Sequence, residues 1–266
     1  MAPHWEVPSV TPGGGRTRPG PAGTRFAEIR NVTETGSTNA DLLAEVRRGA
    51  GRDGAVLVTD HQTAGRGRQG RVWHDRPAGS LLVSALVRAD PSWAPLIPLA
   101  TGLAAVGALG DHGVDGVRLK WPNDVLVPAA GERKLAGILA EGATSGEELW
   151  VVIGMGCNLS WPEDRPAELL DRLVAVGDLV DGVTRDGLLD RWLVHLDGLL
   201  DQLVLGQRGV LEDYRRHCLS LGREVRLATP TGDVDGRVEG IADDGALLVR
   251  VDGTVRRFDA GEVHHR

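Results

Sequence analysis

The chain has little cysteine: only Cys157 and Cys218 among 266 residues. They lie far apart and lack metal-ligand spacing, which argues against a disulfide framework or a cysteine zinc site. As two small, semi-buried hydrophobes they suit a reducing compartment. No apolar run is expected to be long enough to span a bilayer, and the first residues lack the hydrophobic segment of a secretory signal. A surplus of positive charge is also missing. The formal net charge is −7, which argues against a broad nucleic-acid surface, since phosphate binding needs a basic footprint. The remaining composition, 41% hydrophobic and 25% charged, is that of an ordinary globular protein. The length accommodates one large domain with a small appendage.

Residues 1–25 are rich in Gly, Pro and Arg without hydrophobic periodicity, so a disordered tail is expected there. Order is expected from Phe26. A strand over 28–32 precedes a helix over 40–48, with Leu42, Leu43 and Val46 on one face and Thr38 and Asp41 spaced as a capping box. Residues 55–59 and 81–87 read as buried strands. A helix rich in small residues covers 99–109. Short runs at 117–121, 124–127, 134–141 and 149–159 predict a mainly antiparallel meander. An amphipathic helix over 186–205 carries a Leu/Trp stripe, with His195 on its polar, solvated side, and another helix covers 210–219. From Gly222 the texture changes to short alternating runs separated by Asp-Gly pairs, the pattern of tight hairpins in a small all-β unit.

The most informative stretch is Gly65-Arg66-Gly67-Arg68-Gln69-Gly70-Arg71, followed by Val72 and Trp73. Glycine lets backbone approach a ligand closely, and arginine offers a fixed fork of donors to carboxylate or phosphate. In an acidic protein such a loop suits a local anion site; the plainer alternative is a solvated basic turn. It is joined by Gly36-Ser37-Thr38-Asn39 upstream and by three blocks downstream. These are Lys120-Trp121-Pro122-Asn123-Asp124, the run from Lys134 through Gly137 to Glu141, and the β run holding Gly154, Gly156 and Asn158. Each has an ordinary structural alternative. Ser37, Thr38 and Asn39 can cap a helix, Pro-Asn-Asp is a natural turn, and a lysine opening an apolar strand can snorkel from its edge. Trp73 can stack on a base or simply pack. Glycines inside a strand signal close approach of another group. His61 and His74 flank the loop without an assigned role.

In this order and spacing, the five blocks resemble the biotin protein ligases over about residues 26–266. The resemblance implies an α+β fold: a mixed, largely antiparallel sheet with flanking helices, like the class II aminoacyl-tRNA synthetase and biotin synthetase catalytic domain. That domain would occupy 26–218, with a small SH3-like β-barrel over 219–266. It further implies a two-step reaction. Biotin's carboxylate attacks the α-phosphate of ATP to give biotinyl-5′-adenylate, and a lysine of a biotin carboxyl carrier domain then displaces AMP. Lys134 and Arg68 would be catalytic. Biotin would be held by Ser37, Thr38, Asn39, Gln62, Gly65, Arg66, Gly67, Arg68, Lys134, Gly137, Gly154 and Gly156. ATP and the adenylate would be held by Arg66, Arg68, Arg71, Trp73, Lys120, Asn123, Lys134 and Asn158, with Asp124 as a Mg²⁺ ligand. The loop would close over ligand on its glycine hinges. The implied partners are carrier domains of acetyl-CoA, acyl-CoA or pyruvate carboxylases in the cytoplasm, with no DNA and no membrane; a homodimer is left open. Some family members carry an N-terminal DNA-binding domain, for which residues 1–25 leave no room. The competing readings are a lipoate or octanoate ligase of the same fold and a non-catalytic, biotin-responsive regulator. The apolar floor of the pocket is not identifiable from the sequence.

Overall fold

The computed structural model describes residues 15–266 apart from 72, 74–78, 162–166 and 207; His74 and most of the expected tail lie outside the described residues. In chain order the first elements are β1 (Arg16–Pro19), β2 (Glu28–Thr35), α1 (Thr38–Arg47), β3 (Ala55–Gln62), β4 (Ser80–Ala89) and α2 (Ile97–Asp111). There follow β5 (Arg118–Lys120), β6 (Asp124–Val127), β7 (Arg133–Ser145), β8 (Glu148–Asn158), α3 (Ala167–Leu170), α4 (Arg185–Leu205) and α5 (Arg208–His217). The last five strands are β9 (Glu224–Thr229), β10 (Gly232–Ile241), β11 (Leu247–Val251), β12 (Thr254–Phe258) and β13 (Glu262–His265).

Strands β1 to β8 form one eight-stranded sheet in the order β1-β2-β3-β4-β8-β7-β6-β5. Every neighbouring pair is antiparallel except β2 with β3, which α1 connects as a crossover. The expected mixed, largely antiparallel α+β architecture is therefore observed. Strand alternation divides the apolar residues between two layers. On β4, Leu81, Val83, Ala85 and Val87 join the large core with α2 and α4, while Leu86 packs against Leu42, Leu43 and Val46 of α1. Trp192, Leu193, Leu196 and Leu200 of α4 are fully buried in the large core.

Several expectations are corrected. Residues 16–19 pair with β2 as an edge strand, so order begins well before Phe26. Arg18 Nη2 donates to Asp190 Oδ1 at 2.8 Å, and Arg25 Nε to Asp197 Oδ1 at 2.6 Å. Acids on α4 thus tie down a segment whose composition alone gives it no core to join. The Thr38/Asp41 capping box does not form: Ser37 occupies the cap position without a side-chain bond, and Asp41 accepts from Thr35 Oγ1 at 2.5 Å. His195 is not simply solvated, since its Nε2 lies 2.8 Å from Asp111 Oδ2. Residues Ala94–Asp111 are long and apolar enough to cross a membrane by length and composition, contrary to expectation, yet 61% of that stretch is buried as the core helix. Both cysteines are buried free thiols, and burial pushes the Cys157 pKa up to about 12.

The C-terminal strands form a separate five-stranded antiparallel sheet, β12-β11-β10-β9-β13. It is fused to the larger sheet by directional bonds. Trp121 Nε1 donates to Gly245 O at 2.9 Å, and Leu219 N donates to Leu119 O at 2.7 Å. Glu132, in the β6–β7 connection, accepts from Arg223 Nη1 at 2.6 Å and lies 3.0 Å from His265 Nδ1. Burial lowers the His265 pKa, and the nearby Arg223 and Lys120 charges add to this, outweighing the opposite pull of Glu132. The unfolded chain therefore binds a proton that the folded protein refuses. The associated stability is present above the ordinary histidine value of 6.5 and is lost as pH falls below it. The melting temperature should accordingly drop between about pH 7.5 and 5.5, and His265→Asn should make that drop shallower. An unchanged slope in differential scanning fluorimetry would remove His265 from the account.

Candidate active site

The register across β4, β8, β7 and β6 dictates a trough. Gly137 of β7 pairs with Gly156 of β8 on one side and with Asp124 of β6 on the other. Two residues along, Gly154 lies between Ser84 and Leu139. Two adjacent strands thus lack a side chain at three positions, and other groups fill the space. A Cβ on Gly156 would lie 2.6 Å from the Trp73 indole, one on Gly137 would meet Trp73 and Lys134 Nζ at 2.9 Å, and one on Gly154 would collide with Asn39 Oδ1. The glycines that looked like sites of close approach are the floor under Asn39 and Trp73.

Above this floor opens a cleft of about 860 Å³ that brings together every candidate residue except Gly65. Gly65 is buried, and its carbonyl accepts the Trp73 N–H at 3.0 Å. At one end lies an amide and hydroxyl cluster on the first turn of α1. Gln62 Oε1 accepts from Thr38 N at 2.9 Å and faces Thr38 Oγ1 at 3.2 Å. The fully buried Ser84 hydroxyl sits 2.7 Å from Thr38 Oγ1 and 2.6 Å from Asn39 Oδ1, while Asn39 Nδ2 donates to Glu141 Oε2 at 2.8 Å. Such a cluster suits a neutral polar head group, because buried polar atoms need partners. Val83, Ile138, Leu139 and Met155 supply the apolar lining.

At the other end the cations gather, all but Arg68 against a carboxylate. Lys134 Nζ lies 2.7 Å from Asp124 Oδ1, and Lys120 Nζ lies 3.2 Å from Asp124 Oδ2. Burial opposes ionisation of Asp124, but the two ammoniums outweigh it and hold its carboxyl below the usual carboxylate range. The Lys134 backbone is clamped from both sides: its N–H donates to Arg172 O at 2.9 Å and its carbonyl accepts from Val174 N at 3.0 Å. Its ammonium sits 5.5 Å from the Trp73 ring centroid, within cation–π range. In the loop, Gly67 N donates to Arg71 O at 2.7 Å. Arg71 Nη1 pairs with Glu262 Oε1 at 2.6 Å, Arg66 Nη2 lies 3.6 Å from Glu141 Oε1, and Arg68 Nη1 donates to Gly261 O at 3.4 Å. Burial lowers the Arg68 pKa, and the nearby Arg71 charge adds to this against the opposite pull of Asp124 and Glu262.

Two candidates have structural work. Asn158 Nδ2 donates to Val174 O at 3.1 Å and to Lys134 O at 3.3 Å, so it clasps the strand that carries Lys134. Asn123 Nδ2 donates to Ile138 O at 3.0 Å, fixing the β6–β7 pair. Asp124 does not fit a resident metal: its oxygens face lysines, and no group of three or more metal-ligating side chains occurs among the described residues. The sequence reading missed Ser84, Glu141, Glu262 and His264. A serine inside the buried Leu-Leu-Val-Ser-Ala-Leu-Val run was the available signal for the first. The four-residue β13 is too short to show alternation, so nothing marked Glu262 or His264.

A trough with amide and hydroxyl groups at one end and cations at the other suits joining a carboxylic acid to a nucleotide phosphate, the work of the adenylate-forming ligases. Comparison narrows this class. A profile of the Biotin/lipoate A/B protein ligase family matches residues 28–158, and one of the Biotin protein ligase C terminal domain matches residues 220–266. The chain is 39% identical to the biotin--[acetyl-CoA-carboxylase] ligase of Mycobacterium tuberculosis, over 92% of this chain and 91% of that one. It is 30% identical to the bifunctional ligase/repressor BirA of Bacillus subtilis, covering 79% of this chain and 66% of that longer protein. The biotin protein ligase of Aquifex aeolicus, solved in complex with biotin and ATP, superposes with a TM-score of 0.73 at 27% identity, covering 90% of this chain and 98% of that one. The chain belongs to the biotin protein ligase family, and is an ATP-dependent enzyme that attaches biotin to protein.

The glycine floor is directly testable. Gly154→Ala should cost about 1–3 kcal/mol, the usual effect of overpacking, because its methyl has no room beside Asn39. Gly142→Ala on the adjoining strand, where the nearest atom is 3.8 Å away, should cost about 1 kcal/mol or less. Urea unfolding of the two variants decides; equal midpoints would mean that Asn39 moves aside without cost.

Proposed function

We propose that this ligase biotinylates the biotin carboxyl carrier domain of cytoplasmic carboxylases, acetyl-CoA, acyl-CoA or pyruvate carboxylase, and that its cleft divides the work as follows. The amide and hydroxyl end, Ser37, Thr38, Asn39 and Gln62, takes the ureido ring of biotin. The floor at Gly137, Gly154 and Gly156 leaves room for the ring system and chain, which points the carboxylate toward Lys134. ATP enters on the side of the loop arginines and Lys120, with Trp73, Asn123 and Asn158 shaping the nucleotide end.

In the first half-reaction an oxygen of the biotin carboxylate bonds to the α-phosphorus while the bond to the bridging oxygen of pyrophosphate breaks. Two anions must meet, so the chief requirement is fixed positive charge at the reacting atoms. Lys134 meets it, since its backbone is clamped and its ammonium is held in place beside Asp124. In the second half-reaction the neutral amine of the carrier lysine adds to the acyl carbon, AMP leaves, and the amine gives up its proton. Between the two, the mixed anhydride must be kept from water; Arg66, Gly67 and Arg68 lie where the loop can cover it, with Arg71 on the outer, pyrophosphate side. Mg²⁺ belongs to this reading as the companion of the ATP phosphates, where it usually keeps several of its waters, and Asp124 serves as the counter-charge of the lysines. Residues 26–218 carry the chemistry, and residues 219–266 close the cleft through Gly261 and Glu262.

The observation that carries this reading is Lys134, held at both backbone groups, with its ammonium 2.7 Å from Asp124 at the edge of the glycine trough. ATP–pyrophosphate exchange should proceed with biotin and fail with lipoate and octanoate. Exchange with either of those acids in place of biotin would move the substrate to the sister branch of the fold, and binding of biotin without exchange would make the chain a regulator. Lys134→Ala should lower the exchange rate by about 10²-fold or more, the usual loss of a preorganised electrostatic donor. Arg68→Gly should still form biotinyl-adenylate but release it; chromatography showing no more free adenylate than the parent would sink that role.

A further inference from the structure

Glu141 has no part in the chemistry above, yet it joins the two ends of the cleft. It lies on β7, four residues beyond the floor glycine Gly137. Its Oε2 accepts from Asn39 Nδ2 at 2.8 Å, and its Oε1 stands 3.6 Å from Arg66 Nη2. One carboxylate therefore links the first turn of α1 to the first arginine of the loop. The two contacts differ in kind. Asn39 is only 4% exposed and is further fixed by Ser84 and by the Leu139 carbonyl, whereas 47% of the Arg66 side chain is open to solvent. The Asn39 bond is the fixed anchor and the Arg66 pair is the releasable one, weak enough for a phosphate to draw the guanidinium away.

We propose that Glu141 is a positioning residue that tethers Arg66 beside the biotin end of the cleft. The start of the loop is then held over the site before ATP arrives, and it is guided back over the adenylate once pyrophosphate has left. The residue touches neither reacting atom; it acts on Arg66 through charge and on Asn39 through a hydrogen bond. This rests on the assignment of Asn39 to biotin and Arg66 to the adenylate made above.

The two functions separate by substitution. In Glu141→Gln the amide oxygen still accepts from Asn39 while the charge that holds Arg66 is gone. In Glu141→Ala both are lost. Two quantities are read on the full chain: the biotin KM in pyrophosphate exchange, and the amount of free biotinyl-adenylate released without a carrier. Glu141→Gln should keep the biotin KM within about twofold and raise adenylate release about threefold, as expected for one lost, half-exposed ion pair. Glu141→Ala should raise release similarly and also raise the biotin KM about tenfold. The double variant Arg66→Ala/Glu141→Gln should release adenylate no faster than Arg66→Ala alone. Parental release from Glu141→Gln, identical effects of the Gln and Ala variants on both readouts, or full additivity with Arg66→Ala would each overturn the proposal. Should the Ala variant fail to fold, the near-isosteric Gln variant and its cycle with Arg66→Ala decide alone. The parent protein in the same assay keeps the questions apart: no biotin-dependent exchange there would refute the reading of the site, whereas normal exchange with an inert Glu141→Gln would refute only the tether.

Discussion

The whole site depends on missing side chains in register. Gly137, Gly154 and Gly156 are neighbours only because β7 and β8 pair without a bulge over that stretch, so a local property of sequence becomes a trough two strands wide. Everything else is placed relative to it. The first turn of α1 can lower Asn39 onto the sheet, Trp73 can lie flat beside Lys134, and Asp124 stands at the end of the same row. A one-residue slip would turn every side chain to the other face, closing the trough and pointing Asp124 away from both lysines. The long hydrophobic pairing of β4, β8 and β7 protects this register, since the same strands carry the buried faces of two packed layers.

The second sheet belongs to the same machine. Its strands share the large apolar core, and to this are added hydrogen bonds to backbone carbonyls and a carboxylate shared by Arg223 and His265, which fix orientation more sharply than apolar contact alone. That precision matters because β13 and the residue before it deliver Glu262 to Arg71 and Gly261 to Arg68. The arginine loop is thus gripped by the far end of the chain.

Long or strongly patterned features were legible in the sequence. The α1, α2 and α4 helices, the runs at 124–127 and 247–251, and the co-location of the five blocks all follow from periodicity, turn chemistry and motif order. The missed features depend on distant partners. The strand at Arg16–Pro19 pairs with β2 and is anchored where Asp190, on a helix about 170 residues later, receives Arg18, which no local window contains. Asp41 had two hydrogen-bonding choices, and its neighbour Thr35 won over the helix end. The side chains of Asn123 and Asn158 look like ligand donors in one dimension, but in three their amide nitrogens satisfy strand carbonyls. Glu141 and Glu262 were invisible because a carboxylate acquires meaning only beside the cation it faces.

The pairing of cleft cations with internal carboxylates has a consequence for selectivity. A bare cluster of three arginines and two lysines would draw chloride, free phosphate and any polyanion in the cell. With Asp124, Glu141 and Glu262 already seated among them, three of those five charges are offset, which weakens the pull on such ambient ions. A monovalent ion gains too little to separate an existing pair. A nucleotide brings several charges at once on a scaffold of matching length, so it can displace more than one carboxylate together. The internal counter-ions therefore act as a threshold that rewards multivalent anions and keeps the resting enzyme clear of the salt around it.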